Sequence, residues 1–110
     1  MSWESQYRSK VTDADSALAA IHSNDRIYVG GGAGVPKTLI SHLTERAGQL
    51  HNVEVTHILT FAEAPYADPK YEDSFRVNAL FIGNNVRKAV REGRADFTPI
   101  FLSEIPSLFR

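Results

Sequence analysis

A short apolar strand that runs into four closely spaced glycines is the feature that most constrains the fold. The stretch Asp25–Leu43 reads DRIYVGGGAGVPKTLISHL, with the strand ending at Val29 and a helix opened by Pro36. Glycine can take positive φ and lets a ligand approach bare backbone, and proline suits the first helical position because its missing N–H would have no partner there. The corner is therefore predicted to aim free amides and the positive end of a helix dipole at one point, where an anion or oxyanion can bind. Its glycines are Gly30, Gly31, Gly32 and Gly34.

Two nucleotide-binding loops compete for this corner, and neither fits fully. A dinucleotide-binding G-x-G-x-x-G would need a third glycine where Val35 or Lys37 stands, and an acid at the end of the second strand, whereas Glu54 lies inside that strand. A phosphate-binding G-x-x-x-x-G-K-[ST] matches Gly31–Thr38 except that Pro36 replaces a glycine whose amide the loop needs. A simple tight turn remains a third interpretation.

Composition limits the classes of function. A chain of 110 residues forms one domain at most. Lysine and arginine number 12 against 13 acids, which implies no affinity for nucleic acid or for a membrane surface. Cysteine is absent, so thiol nucleophiles and thiolate metal sites are excluded in this segment. The four histidines lack metal-ligand spacing and are interpreted as surface or packing residues. Without a signal peptide or a long apolar run, the expected compartment is the cytoplasm.

Strands and helices are predicted to alternate along the chain. A polar N-terminal arm is expected to dock through Trp3 and Tyr7, and Thr12 has the spacing of a capping box before the first helix. A long surface loop follows the second strand at Phe61–Asp73. The predicted strands are Ile27–Val29, Val53–Thr60, Phe75–Ile82 and Thr98–Leu102.

Three strand-to-helix corners indicate an α/β fold. They are Gly30–Pro36, Gly83–Asn85 and Ser103–Pro106, where Ser103 is predicted to be a helix N-cap. Such alternation predicts a mostly parallel open sheet with helices on both faces, and ligands then bind outside the carboxyl ends of the strands. The last helix has hardly begun at Arg110, so the domain is expected to be incomplete or completed by a partner chain.

Several polar residues near these corners have two interpretations. Lys37 in a first helical turn is either solvated or meets an anion. Asn84 and Asn85 cap a helix, contact a substrate, or do both. The basic residues of the helix that follows form a solvated face or receive phosphates; they are Arg87, Lys88, Arg91 and Arg94.

Two segments resemble a known family. Asp25–Pro36 is similar to the glycine signature of family I CoA-transferases. The tail Phe81–Phe109, FIGNNVRKAVREGRADFTPIFLSEIPSLF, resembles the acetyl-CoA hydrolase/transferase branch, which includes 4-hydroxybutyrate and succinate:acetate CoA-transferases. The resemblance covers nearly all of the chain. It implies that residues 1–110 are the first part of an N-terminal CoA-transferase-like half, in an enzyme several times longer.

The resemblance also implies a mechanism and a site. Such enzymes move CoA from an acyl-CoA to a free acid of the acetate, butyrate, 4-hydroxybutyrate or succinate class through a glutamyl-CoA intermediate. The nucleophilic glutamate is expected beyond Arg110, so no catalytic residue is assigned here: Glu63 is interpreted as a loop acid and Glu104 as a first-turn helix acid. CoA is a substrate, no cofactor or metal is expected, and the partners are the C-terminal half and further copies in a homo-oligomer. The expected substrate-binding residues are Gly30, Gly31, Gly32, Gly34, Val35, Pro36, Asn84, Asn85 and Ser103.

Within that site, Val35 departs from the smaller or more polar residue that the family pattern suggests, which leaves acyl-chain preference open. Two other classes of function also stay open. One is a nucleotide-binding α/β module of the dinucleotide or P-loop type, and the other is a non-catalytic assembly domain.

Overall fold

Four parallel strands, arranged side by side in the order in which they occur in the sequence, form the centre of the molecule. The computed structural model describes all residues from 1 to 110. Each strand pairs only with its sequence neighbours, in the order β1-β2-β3-β4. Val55 of β2, for example, lies between Ile27 of β1 and Val77 of β3. The strands are β1 (Arg26–Tyr28), β2 (Val53–His57), β3 (Phe75–Ala79) and β4 (Ala95–Phe97).

Five short helices accompany the sheet, and α3 and α4 directly precede β2 and β4. They are α1 (Trp3–Lys10), α2 (Ala14–Leu18), α3 (Lys37–Glu45), α4 (Asn84–Arg91) and α5 (Ile105–Leu108). Short 3₁₀ turns lie at Ala47–Gln49, Pro65–Ala67, Pro69–Tyr71 and Leu102–Glu104. The longest helix has 9 residues, and no helix combines the length and hydrophobicity needed to cross a bilayer.

The two faces of the sheet are covered unequally. Parallel crossovers are almost always right-handed, so a strand order that never reverses carries its connections over the same face. On that face the inward side chains of β2 and β3 are buried, and the core includes Val53, Val55, Val77 and Ala79. On the other face α5 approaches β1, where the ring of Phe109 lies 5.3 Å from that of Tyr28. The α/β class and the parallel sheet are confirmed, with helices concentrated on one face.

The fourth strand lies earlier in the chain than predicted. β4 is Ala95–Phe97, and the apolar run Thr98–Leu102 is irregular before its 3₁₀ turn. Asp96 is fixed beside β3 because the Arg76 guanidinium donates from Nε and Nη2 to its two carboxylate oxygens, each at 2.7 Å. Pro99 has no N–H with which to extend the ladder. The prediction of Thr98–Leu102 as a strand was therefore wrong.

The N-terminal segment also differs from its prediction. Residues 3–10 form helix α1, and none of them is buried: Trp3 is 74% exposed and Tyr7 64%. The expected docking of this arm through its aromatic rings does not occur within the chain. The N-cap of α2 is Asp13, whose carboxylate accepts from the Ser16 amide at 2.8 Å, and not Thr12.

Candidate functional site

The chain that leaves β2 runs between the glycine corner and the start of α4. The Gly32 amide donates to Leu59 O at 2.7 Å, and the Phe61 amide donates back to Gly32 O at 3.2 Å. On its other side, the Asn85 Nδ2 donates to Thr60 O at 3.1 Å. Two of the corners that the sequence places at the carboxyl edge are thus joined through the segment between them.

Two glycines are required by this close packing. A Cβ on Gly31 would lie 2.5 Å from Leu59 O, and a Cβ on Gly83 would lie 2.9 Å from the Leu59 side chain. Gly32 has a φ of +61°, a conformation that disfavours other residues. Gly30 and Gly34 meet nothing closer than 3.6 Å. Within the glycine run, the fold therefore requires glycine at Gly31 and Gly32, whereas the backbone at Gly30 and Gly34 is open.

The free amides predicted at the corner are present in part. Gly32 donates to Leu59 O, and Gly34 donates to Gly31 O at 3.2 Å, because the corner is itself a tight turn. The amides of Gly30, Gly31, Ala33 and Val35 make no hydrogen bond within the chain. Pro36 precedes α3 as its N-cap rather than occupying the first helical position.

Two grooves open at this edge of the sheet, and one short segment lines both. We call Phe61–Glu63 the ridge. On one side is the α3 groove of about 640 Å³, lined by Val35, Lys37, Ile40, Ser41, Thr44, the ridge and Pro65. On the other is the α4 groove of about 540 Å³, lined by Leu59, Thr60, the ridge, Phe81, Ile82, Gly83, Asn84, Asn85 and Arg87.

The expected site residues are distributed unevenly over these grooves. Val35 lines the α3 groove, and Asn84 and Asn85 line the α4 groove. The other expected site residues line neither groove; they are Gly30, Gly31, Gly32, Gly34, Pro36 and Ser103. Ser103 lies inside a 3₁₀ turn, so its prediction as a helix N-cap was wrong. Asn84 and Asn85 are the first two residues of α4, whose N-cap is Gly83, and so they do not cap it.

The ridge was missed as part of the site. The segment Phe61–Asp73 was predicted as a surface loop, but it contains two 3₁₀ turns and the buried ring of Tyr66. Phe61 is 76% exposed between the grooves. The available signal was position, because Phe61 lies four residues after His57, the last residue of the buried strand β2, and ligands bind beyond the strand ends in such sheets.

A buried polar pair holds the far end of this segment. The Nδ1 of His57 lies 2.8 Å from the hydroxyl oxygen of Tyr66, and each side chain is 1% exposed. Burial lowers the pKa of His57 and raises the pKa of Tyr66 to about 12, so both side chains are uncharged at neutral pH. His57 is thus a packing residue, as predicted for the histidines.

The basic residues of α4 and of the turn that follows it have different roles. Arg94 is only 14% exposed, donates to Ala67 O at 2.7 Å and pairs with Glu92 at 2.7 Å. It belongs to the internal scaffold and not to a solvated basic face. Arg87 is exposed and lines the α4 groove. Lys88 lies 3.8 Å from Glu92.

His42 lies close to two acids, one from a different helix and one from its own. His42 Nδ1 of α3 lies 2.7 Å from Asp15 of α2 and 3.9 Å from Glu45. The Asp15 hydrogen bond is the main reason that the pKa of His42 is raised. Spacing could not reveal this cluster, because Asp15 and His42 are 27 residues apart. Its present role is to join α2 to α3.

A parallel α/β sheet with open amides and grooves beyond its strand ends belongs to the class of ligand-binding α/β domains. Within that class the family is defined. The model of the acetyl-CoA hydrolase/transferase N-terminal domain matches residues 1–110, and the chain belongs to this family.

Characterised relatives are CoA-transferases. The chain is 34% identical over 110 residues to the 4-hydroxybutyrate coenzyme A transferase of Clostridium kluyveri, covering 100% of this chain and 26% of the relative. It is 43% identical over 101 residues to the succinyl-CoA:acetate/propanoyl-CoA:succinate CoA transferase of Fasciola hepatica, covering 90% and 21%. The crystal structure of RipA from Yersinia pestis shares the fold, with a TM-score of 0.85 at 20% identity, covering 98% and 28%. The chain thus spans about a quarter of these relatives.

Proposed function

We propose that this chain forms one wall of the acyl-CoA site in a CoA-transferase that moves CoA between an acyl-CoA and a small carboxylic acid. The observation that carries the proposal is the open backbone at the glycine corner. The amides of Gly30, Gly31, Ala33 and Val35 have no partner inside the fold, and Val35 continues from them into the α3 groove. In a member of this family, that arrangement suits a polar carbonyl followed by an apolar acyl chain.

The chemistry follows from acyl transfer through a covalent intermediate. A glutamate from the remainder of the enzyme attacks the thioester carbonyl, the CoA thiolate leaves, and an acyl-glutamyl anhydride forms. The thiolate then attacks the glutamyl carbonyl and expels the carboxylate product, which leaves glutamyl-CoA; the second acid reverses the sequence. Each addition places negative charge on an oxygen, which backbone amides stabilise. The role of the corner is to supply such donors.

The proposal extends to the cofactors and partners of the enzyme. CoA acts as a substrate, and no further cofactor or metal takes part. Glu63 lies on the exposed ridge, where it faces both grooves rather than acting as the nucleophile. The remainder of the enzyme completes the cleft, and the whole works as a homo-oligomer in the cytoplasm.

The test compares the 110-residue chain with a longer enzyme that contains this chain and has the full length of its relatives. We expect exchange between acetyl-CoA and a labelled carboxylate in the long form and none in the chain alone. Gly34→Val in the long form should lower turnover more than about tenfold with little loss of stability, because no atom of the fold lies within 3.5 Å of the added Cβ. Gly48→Ala, whose Cβ meets nothing within 4 Å, is the matched control.

Two results would contradict the proposal. Equal losses of turnover and stability in Gly34→Val would indicate a simple tight turn. A thermal shift of the chain with NADH or ATP, without any exchange by the long form, would instead support a nucleotide-binding module.

A further inference from the structure

We infer that Asn85 is a positioning residue, which fixes the ridge and thereby sets the acyl groups that the α3 groove accepts. This inference rests on the proposed function for its substrate, but its structural part concerns the ridge alone. Its basis is the pattern of hydrogen bonds around Phe61–Glu63.

The carboxamide of Asn85 gives both of its hydrogens to the backbone beside the ridge. Nδ2 lies 3.1 Å from Thr60 O and 2.7 Å from Ala62 O. Both partners are carbonyl oxygens, which accept only, so the group that faces them must be the amide NH₂. Both hydrogens of that NH₂ are used, so it cannot also donate to a substrate. It binds the backbone of the chain itself.

Few other bonds hold the ridge. The Phe61 amide is tied to Gly32 O, and the Ala62 amide donates to the Thr60 hydroxyl at 3.2 Å. The next anchors along the chain are the Tyr66 hydroxyl on His57 and the Ala67 carbonyl on Arg94. Asn85 is therefore the one side chain from another element that bonds the ridge backbone itself, through Ala62 O.

Position of the ridge determines the shape of two grooves at once. Phe61, Ala62 and Glu63 line both grooves. A displacement of the ridge toward Asn85 therefore narrows the α4 groove and widens the α3 groove. Val35 and the ridge line the α3 groove together. Loss of the Asn85 bonds should therefore change acyl-chain discrimination, a property that depends on small differences in pocket size.

Asn85→Asp is the test, because it keeps the shape of the side chain and removes both donors. It also places carboxylate oxygens against two carbonyls. An acid in the first turn of α4 is favourable for the helix dipole, so the helix itself is preserved. Gln49→Glu is the matched control, because it makes the same amide-to-acid change at an exposed residue that lines neither groove and whose side chain makes no hydrogen bond within the chain.

Two measurements are made on both variants. In the 110-residue chain, hydrogen exchange of the Phe61 and Ala62 amides, which are hydrogen-bonded in the parent chain, should quicken about tenfold in Asn85→Asp. It should stay unchanged in Gln49→Glu, with β2 unaffected in both variants. In the full-length enzyme, the ratio of kcat/KM for acetyl-CoA to that for butyryl-CoA should shift about tenfold in Asn85→Asp and less than twofold in the control. A change in this ratio distinguishes positioning from a general loss of stability.

Each alternative result has a definite meaning. An unchanged substrate ratio in Asn85→Asp overturns the inference, whatever the stability of the variant, and so does equal ridge exchange in the two variants. If the parent enzyme transfers no CoA, the proposed function fails, and the exchange comparison still decides whether Asn85 positions the ridge. If Asn85→Asp does not fold, Asn85→Ala replaces it in both measurements, because alanine removes the donors without adding charge.

Discussion

The side chains of His57 and Tyr66 form a buried hydrogen bond of 2.8 Å between the end of β2 and the first 3₁₀ turn of the segment that follows. Both residues are 1% exposed, so water cannot replace either partner. The bond ties the ridge segment to the core at a point three residues beyond Glu63. Stability and site geometry are thus linked through one polar contact.

Removal of the Tyr66 hydroxyl should destabilise the chain, because His57 then has no hydrogen-bond partner in the core. Tyr66→Phe keeps the ring but leaves His57 Nδ1 without its hydrogen bond in the core, which costs about 1–3 kcal/mol of unfolding free energy. Urea unfolding of the 110-residue chain measures the change. Tyr71→Phe is the control, because the Tyr71 hydroxyl has no hydrogen bond within the chain and only its ring packs on Phe75. Equal effects of the two substitutions would contradict the role given to the pair.

The glycines of the first corner should separate into those the fold needs and those it does not. Gly31→Ala places a Cβ 2.5 Å from the backbone oxygen of Leu59, and overpacking of this kind costs about 1–3 kcal/mol. Gly34→Ala makes only an ordinary contact at 3.6 Å and should change stability by less than about 0.5 kcal/mol. Thermal and urea unfolding of both variants provide the comparison. A larger loss in Gly34→Ala would show that the corner is packed differently.

The bond between His42 and Asp15 should make stability depend on pH with a defined sign. Because the pKa of His42 is raised in the folded chain, the stabilisation is fully present below the ordinary histidine pKa of about 6.5 and is lost as pH rises through the folded value. His57 acts oppositely, since its lowered pKa removes stability as pH falls below about 6.5.

Comparison with a variant isolates the His42 contribution from that of His57. We expect the stability difference between the parent chain and His42→Gln to be larger at pH 5.5 than at pH 8.5, as measured by urea unfolding at both values. His51→Gln is the control, because the His51 ring lies in no ion pair with an acid. A difference that grows with pH would show that the pair does not form in solution.

The sequence predicted the parts of the fold that depend on local pattern. It predicted the strand before Gly30, the strand that begins at Val53 and the helix that ends before Gly93. Burial and backbone conformation restrict which residue types can stand at neighbouring positions, so these elements are visible in the local sequence. Thr98–Leu102 has the same apolar pattern as a strand, yet the ladder beside β3 is occupied by Ala95–Phe97. Ala95–Phe97 pairs with β3 because Arg76 of β3 binds Asp96 across the sheet. The local composition of Thr98–Leu102 gives no sign of this contact.

The candidate site was predicted only where backbone chemistry determines it. The glycine corner and the asparagine turn are close together, as their positions after β1 and β3 required. The roles of individual residues were not recoverable: Gly31 is needed because of Leu59, and Asn85 bonds to Thr60 and Ala62. These partners lie 23 to 28 residues away in the sequence, so only the three-dimensional arrangement reveals them.

The unbroken succession of strands has a kinetic consequence. Each strand joins a neighbour that has already been synthesised, so the sheet can grow from its first edge while translation proceeds and need not wait for a later segment to insert. The last strand added, β4, then forms one open edge of the sheet, and β1, the first strand, forms the other.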